Sequence, residues 1–237
     1  MIGKFILFIA ATMFAFTGCA LVGASKLINK EVIPGKDSII PSPDLVTADT
    51  DPHRVIDDAH KRMCEVRSYR TRTELTGPTG ASAVTTAEFV RPDRRRTVQF
   101  AGTNAEFETI TIGSRTFSRS QGRWSEMTGP LSKAYADPGF MCSNEAPPPL
   151  PADLPKIERK FLGTGDVDGN KVLLYSSAVG GGEMPGGNTM TVTVSIGTRD
   201  GLLYRTESRS TSVELGTITT TTTYSDYNAD IRIEAPI

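Results

Sequence analysis

Histidine is almost missing from this sequence: 237 residues contain two, His53 and His60. Acid–base and nucleophilic catalysis usually relies on a poised imidazole. Seven residues apart on one helix, the pair would stand about 10.5 Å apart along its axis, too far to share a metal ion. Asp57 falls between them, but no further ligands join it, and the expectation is a pair of solvated helix residues. No catalytic constellation, metal site or cofactor motif emerges. Charge of one sign is missing as well. The 26 basic and 27 acidic residues nearly cancel, which leaves no electrostatic footprint for nucleic acid or for a polybasic membrane patch. Beyond the first 18 residues, no apolar run is long enough to cross a bilayer. Cysteine occurs three times, as Cys19, Cys64 and Cys142.

The N-terminus shows what Cys19 is for. Lys4 gives a positive start, residues 5–16 are an almost unbroken apolar run, and Phe16-Thr17-Gly18-Cys19 ends it with small residues before a cysteine. This is a secretory signal too short to span a membrane. Its ending resembles a bacterial lipobox, with Phe16 where Leu is usual. The resemblance implies cleavage before Cys19 and acylation of that residue, palmitate included. Lys4 is the only charge in residues 1–18, so the mature chain carries a formal −2. It would work in the cell envelope: on the outer membrane facing the periplasm in a two-membrane source, a sorting that Ala20 suggests, otherwise on the outer face of the plasma membrane. In an oxidising compartment, Cys64 and Cys142 are expected to form a disulfide. The bridge would close a loop of about 80 residues, worth ~4.5 kcal/mol in the chain-entropy account.

Residues 19–50 hold Pro34, Pro41 and Pro43 and no sustained period, so they read as the lipidated cysteine and a disordered tether spanning about 30 Å. Residues 51–237 form one domain. Asp51 caps and Pro52 opens a helix expected to end near Arg67, with Val55, Ile56, Ala59 and Met63 as its apolar stripe. Period 2 then marks strands over residues 68–76, 83–90, 95–101, 106–112, 115–120 and 122–127. Gly113-Ser114 has the form of a two-residue hairpin turn. Residues 131–136 suit a short helix, and the five prolines of 144–155 exclude a central strand. Strands resume over 161–166, 171–178, 190–196, 202–211 and 216–227, with a flexible Gly-rich loop at 180–187, and Ile231 and Ile233 end the chain on one face. Asp168-Gly169 makes a hairpin turn; the Asp166-x-Asp168 start fails the calcium-loop pattern, since Gly comes too early and no closing Glu follows. The arginines Arg91, Arg94, Arg95 and Arg96 suit a phosphate or lipid headgroup, or a solvated turn. Short connections predict about ten or eleven antiparallel strands curling round one helix, a mainly β chain with a flanking helix in the α+β class.

Several stretches resemble the LolA/LolB/LppX superfamily of bacterial envelope lipoproteins and lipoprotein carriers. They are the residues around Phe89-Val90-Arg91-Pro92-Asp93, the Gly122-Arg123-Trp124 strand, Leu162-Gly163-Thr164-Gly165-Asp166 with Val172-Leu173-Leu174-Tyr175, and Thr222-Thr223-Tyr224-Ser225-Asp226-Tyr227-Asn228 before Ile231-Arg232-Ile233. The resemblance covers roughly residues 53–236. It implies an unclosed antiparallel half-barrel curved over the N-terminal helix, with an apolar cavity able to hold acyl chains. It implies a non-enzymatic binder of a lipid or acylated ligand, with an envelope protein partner and a packed core as the alternative. By alternation, the cavity-wall positions are Phe107, Ile110, Ile112, Trp124, Val192, Val194, Ile196, Ile218 and Ile231, each of which plain core packing would also explain.

Overall fold

The structure is a computed structural model and describes residues 51–128, 157–179, 189–214 and 216–236. The signal at 1–18, Cys19 and the tether to residue 50, the helix expected at 131–136, Cys142, the proline-rich 144–155 and the loop at 180–187 lie outside the described residues.

Among the described residues, one helix, α1 (Pro52–Met63), precedes eleven strands. The strands are β1 (Ser68–Thr76), β2 (Ser82–Val90), β3 (Arg94–Gln99), β4 (Phe107–Ile112), β5 (Arg115–Ser120), β6 (Arg123–Met127), β7 (Ile157–Val167), β8 (Asn170–Val179), β9 (Thr189–Gly197), β10 (Leu203–Ser212) and β11 (Gly216–Ser225). Asp51 Oδ1 accepts from the His53 amide at 3.0 Å and caps α1 as expected. The helix stops at Met63, earlier than its sequence suggested. The Cys64 amide is shared between the carbonyls of His60 and Lys61, so the last turn tightens and the chain leaves the axis. Cys64 is not a free thiol.

All strands are antiparallel in a single open sheet, ordered β6-β5-β4-β3-β2-β1-β11-β10-β9-β8-β7. Two meanders, β1–β6 and β7–β11, therefore meet only where β1 pairs β11. Both hairpins foreseen in the sequence form. Gly113 takes φ +58°, and Asp168 and Gly169 take φ +50° and +81°, left-handed values that two-residue hairpins require. The result is an unclosed α+β half-barrel with one N-terminal helix.

β11 ends at Ser225, two residues before the expected limit, because Asp226 and Asn228 adopt φ +54° and +59°. The chain then leaves the sheet. Ile231 and Ile233 belong to no strand, yet both are buried, packed with Ile110, Val90, Ile112 and Trp124. The Asn228 amide donates to the Ser68 carbonyl at 2.8 Å, Ser68 Oγ donates to the Ala229 carbonyl, and Arg94 Nη1 donates to the Ile233 carbonyl at 2.8 Å.

His60 departs from the solvated expectation. It is half-buried and its Nδ1–H donates to the Ile56 carbonyl at 2.8 Å. Desolvation holds its pKa below 6.5, against the hydrogen bond to Ile56 and the Asp57 carboxylate, which raise it, while Arg159 of β7 lowers it further. The unfolded chain therefore takes up the proton first as pH falls. Stability from this group is complete above 6.5 and declines as pH drops below that value towards the native pKa. Urea midpoints measured above 6.5 and about one unit below it should differ in the wild type, and His60→Gln should shrink that difference.

Candidate functional site

Which face a side chain occupies follows from register. Tyr69 packs with the helix, and the pairing runs Tyr69↔Phe89↔Arg95↔Thr111, so these four share the concave, helix-bearing face. Their neighbours Ser68, Val90, Arg94 and Ile112 take the opposite, convex face.

α1 covers one half of the concave face, packing on β7, β9 and β10. Val55, Ile56, Ala59 and Met63 press onto Leu173, Tyr175, Val194, Ile196 and Leu203, with Phe161 and the tyrosines at 69, 204, 224 and 227 around them. An almost wholly buried Arg159 fixes the helix to the sheet edge. Its Nη1 donates to Asp57 Oδ1 at 3.0 Å and to the His53 carbonyl at 3.3 Å. Tyr227 Oη donates to the Leu203 carbonyl, and Tyr204 Oη to Asp200 Oδ2 at 2.9 Å. Burial pushes the Tyr204 phenol up to about 12 and raises those of Tyr69, Tyr224 and Tyr227. These groups are structural hydroxyls rather than acid–base catalysts at neutral pH.

Away from α1 the concave face changes character. One register row leaves the apolar patch of Phe161, Tyr175 and Val194 and continues through Thr206, Thr222, Thr73, Thr85 and Gln99 to Phe107. The five polar members cross five strands, a span of about 19 Å. Thr222 is buried and the other four are half-buried.

The convex face carries an ion-pair ladder. Arg70 meets Asp226 at 3.1 Å and Glu88 at 2.9 Å, Glu88 meets Arg96 at 3.6 Å, and Glu108 meets Arg96 at 2.7 Å and Arg119 at 2.6 Å. Glu108 is only 3% exposed, so it is paired because burial demands it. The arginine cluster read as a headgroup site or solvated turn is largely occupied. Arg91 donates to the Met63 and Val66 carbonyls, Arg94 to Ile233, and Arg96 to Glu108. A shallow cavity of about 530 Å³ lies there, between the Arg91-Pro92-Asp93 turn and Ile231–Glu234.

The nine wall positions do not share one face. Phe107, Val192, Val194, Ile196 and Ile218 are concave; Ile110, Ile112 and Trp124 are convex and hold Ile231 down, with the Arg119 guanidinium 5.7 Å from the Trp124 ring centroid. Alternation separated the two faces of each strand, but it had no means of matching faces between strands. Phe161, Tyr175 and the threonine row went unnoticed as site residues for the same reason: only register aligns them. Among the described residues, no group of three or more His, Cys, Asp or Glu side chains is placed to hold a metal ion, and no helix is long and apolar enough to cross a membrane.

No family model matches the sequence, and no curated protein matches it. Solved structures do. The lipoprotein LppX of Mycobacterium tuberculosis is 15% identical over 78% of this chain and 100% of its own, with a TM-score of 0.52. LprF of Mycobacterium bovis is 13% identical over 78% of this chain and 96% of its own, TM-score 0.48. A LolA superfamily protein from Nitrosomonas europaea is 8% identical over 74% and 93%, TM-score 0.33. The chain has an LppX-like fold.

Val194 is 5% exposed beneath α1, whereas Val192, two residues along the same face, is half-buried at the margin of the same cluster. Val194→Trp should overpack the core and cost about 1 to 3 kcal/mol in chemical denaturation, with Val192→Trp tolerated to within about 1 kcal/mol. Equal losses at the two positions would contradict this division of the face.

Proposed function

We propose that this chain is a non-enzymatic, lipid-anchored envelope lipoprotein that binds a hydrophobic ligand, a lipid or another acylated molecule, in the trough of its half-barrel. The observation that carries the reading is the uneven cover of the concave face among the described residues: α1 packs on β7, β9 and β10, and beyond Tyr69 and Tyr224 the half from β11 through β1 to β4 keeps half-buried side chains such as Thr73, Thr85, Gln99 and Phe107 beside the buried Ala87, Thr109, Thr111 and Thr222. Phe107, Ile218 and Val192 line the trough, Val194 and Ile196 form its floor beneath the helix, and Ile110, Ile112, Trp124 and Ile231 brace the sheet from behind. The fold shared with the lipoprotein LppX supports an envelope setting. Native mass spectrometry with lipid extraction, on the mature chain carrying Cys19→Ser and produced in a bacterial envelope, should find a co-purified lipid that delipidation removes. A chain that never carries lipid would sink the proposal.

The close packing of Tyr175, Val194 and Ile196 under α1 favours a second reading, a sensor or scaffold that binds an envelope protein and holds no ligand. Crosslinking to a protein partner, in the absence of lipid, would select it.

Anchoring rests on Cys19, whose substitution by Ser should abolish labelling by palmitate; undiminished labelling would exclude acylation there. In the mature chain, Cys64 and Cys142 form the disulfide, tying the helix end to the segment after β6. Thiol titration of the denatured, unreduced protein should count none from this pair.

A further inference from the structure

Antiparallel pairing gives the half-barrel two poles, and they differ in charge. At one lie the chain leaving α1, the turns at 91–93, 168–169 and 198–202, and the tail; each of these segments carries charge, from Arg67 and Asp93 to Asp200 and Arg232. The other pole holds the turns at 77–81, 100–105, 121–122 and 213–214, in which Glu214 is the only charge. α1 begins at this neutral pole, where Arg159, the third residue of β7, donates to the His53 carbonyl at 3.3 Å. Turns favour Gly, Asn or Asp, yet Val213 stands in the β10–β11 turn 85% exposed, one of two large apolar side chains left bare among the described residues. Packing within the domain gains nothing from it. Gly216 takes φ +72°, and a Cβ there would stand 3.0 Å from Pro78 Cβ, so the β10–β11 and β1–β2 turns abut and present Val213 together with the exposed Pro78 and Ala81. The concave lip beside them continues the apolar surface: Met190 and Ile218 flank Ser210 in register, Leu75 opposes Ala83, and all four apolar side chains are half-buried.

We propose that the neutral pole docks on the surface of a lipid bilayer, with Val213, Pro78 and Ala81 entering the headgroup region and the strands standing end-on to it. The proposal rests on the anchoring reading above. An acylated Cys19 is joined to the domain by residues 20–50, which, whatever their path, enter α1 through Asp51 at this pole. A coil of that length spans about 30 Å, so the anchor holds this pole over the bilayer at high effective concentration. Charge separates the two poles in the same sense. Placing the charged pole among lipids would desolvate ionised side chains, whereas the neutral turns bring almost none. With no Lys or Arg in those turns, the contact draws nothing from anionic lipid and depends on burying apolar side chains, so salt does not weaken it.

The full chain, purified from a bacterial envelope and reconstituted in phosphatidylcholine vesicles, tests this through a single tryptophan. Trp124→Phe removes the native one, and Val213→Trp or Ser114→Trp then places another at the neutral or the charged pole. Brominated phosphatidylcholine should quench and blue-shift the emission of the Val213→Trp chain, equally at about 1 M salt, and leave the Ser114→Trp chain unchanged. Adding Ala81→Asp to the Val213→Trp chain should reverse the quenching without moving the thermal midpoint, since Ala81 is exposed. Quenching at both poles or at neither, quenching that salt abolishes, or quenching that survives Ala81→Asp would overturn the docking while flotation with the vesicles shows the anchor intact. A chain that fails to float would instead remove the anchoring reading and this one with it.

Discussion

One seam holds the domain together. The two meanders are each a run of neighbouring hairpins, cheap to close and local in sequence. They join only along β1 and β11, from Arg70 opposite Ser225 to Thr76 opposite Thr219. The partners stand some 150 residues apart; Thr73 and Thr222, which bond across the seam, are separated by 149. Ordering that much chain for one strand pair is costly unless the pair is reinforced, and reinforcement is dense at one end of it. The Arg67 amide donates to Asn228 Oδ1 and the Arg67 guanidinium to the Asn228 carbonyl, both at 2.7 Å. Arg70 bridges Asp226 of the last turn and Glu88 of β2, so the ion-pair ladder begins on the seam itself.

The tail extends this logic. After crossing the seam, residues 226–236 pass onto the convex face of the first meander, burying Ile231 and Ile233 against β4 and tying their backbone to Arg94. The second half of the chain thereby grips the first through a strand pair and through apolar contact behind it. α1 does the reverse: it begins the chain, yet packs on β7, β9 and β10, and the guanidinium of Arg159 holds its first turns. N-terminal helix on the late strands and C-terminal tail on the early strands make a reciprocal clasp. An open sheet of eleven strands, with no closure to fix its curvature, gains rigidity from such crossing contacts.

Much of this was legible in the sequence where the controlling physics is local. The period-2 pattern placed β1 and β5 to the residue, the Asp51-Pro52 cap and its stripe placed α1, and Gly113 and Asp168-Gly169 placed two turns. Long-range geometry was not legible. Ile110 and Val194 alternate equally well in their own strands, but they lie on opposite faces because a chain of pairings across several strands decides parity. Ile231 and Ile233 read as sharing one face because their spacing is right; that this face is the convex side of the first meander is decided by Asp226 and Asn228 in left-handed backbone and by the distant Ser68. His60 lies just beside the apolar stripe of α1, and its burial depends on a sheet edge whose position the helix pattern does not contain.

The position of the seam also bears on what the trough can do. Thr73 and Thr222 are at once the bonded pair across the seam and the middle of the inward threonine row, so on the ligand-binding reading proposed above an occupant of the trough would lie across the junction of the two meanders. A ligand that binds only where both halves are paired stabilises the pairing by mass action, in proportion to the logarithm of its concentration over its dissociation constant. A chain without ligand would then be limited by its seam, and a loaded chain would be reinforced at the place where its topology is weakest, which couples cargo binding to the integrity of the sheet without requiring any moving part.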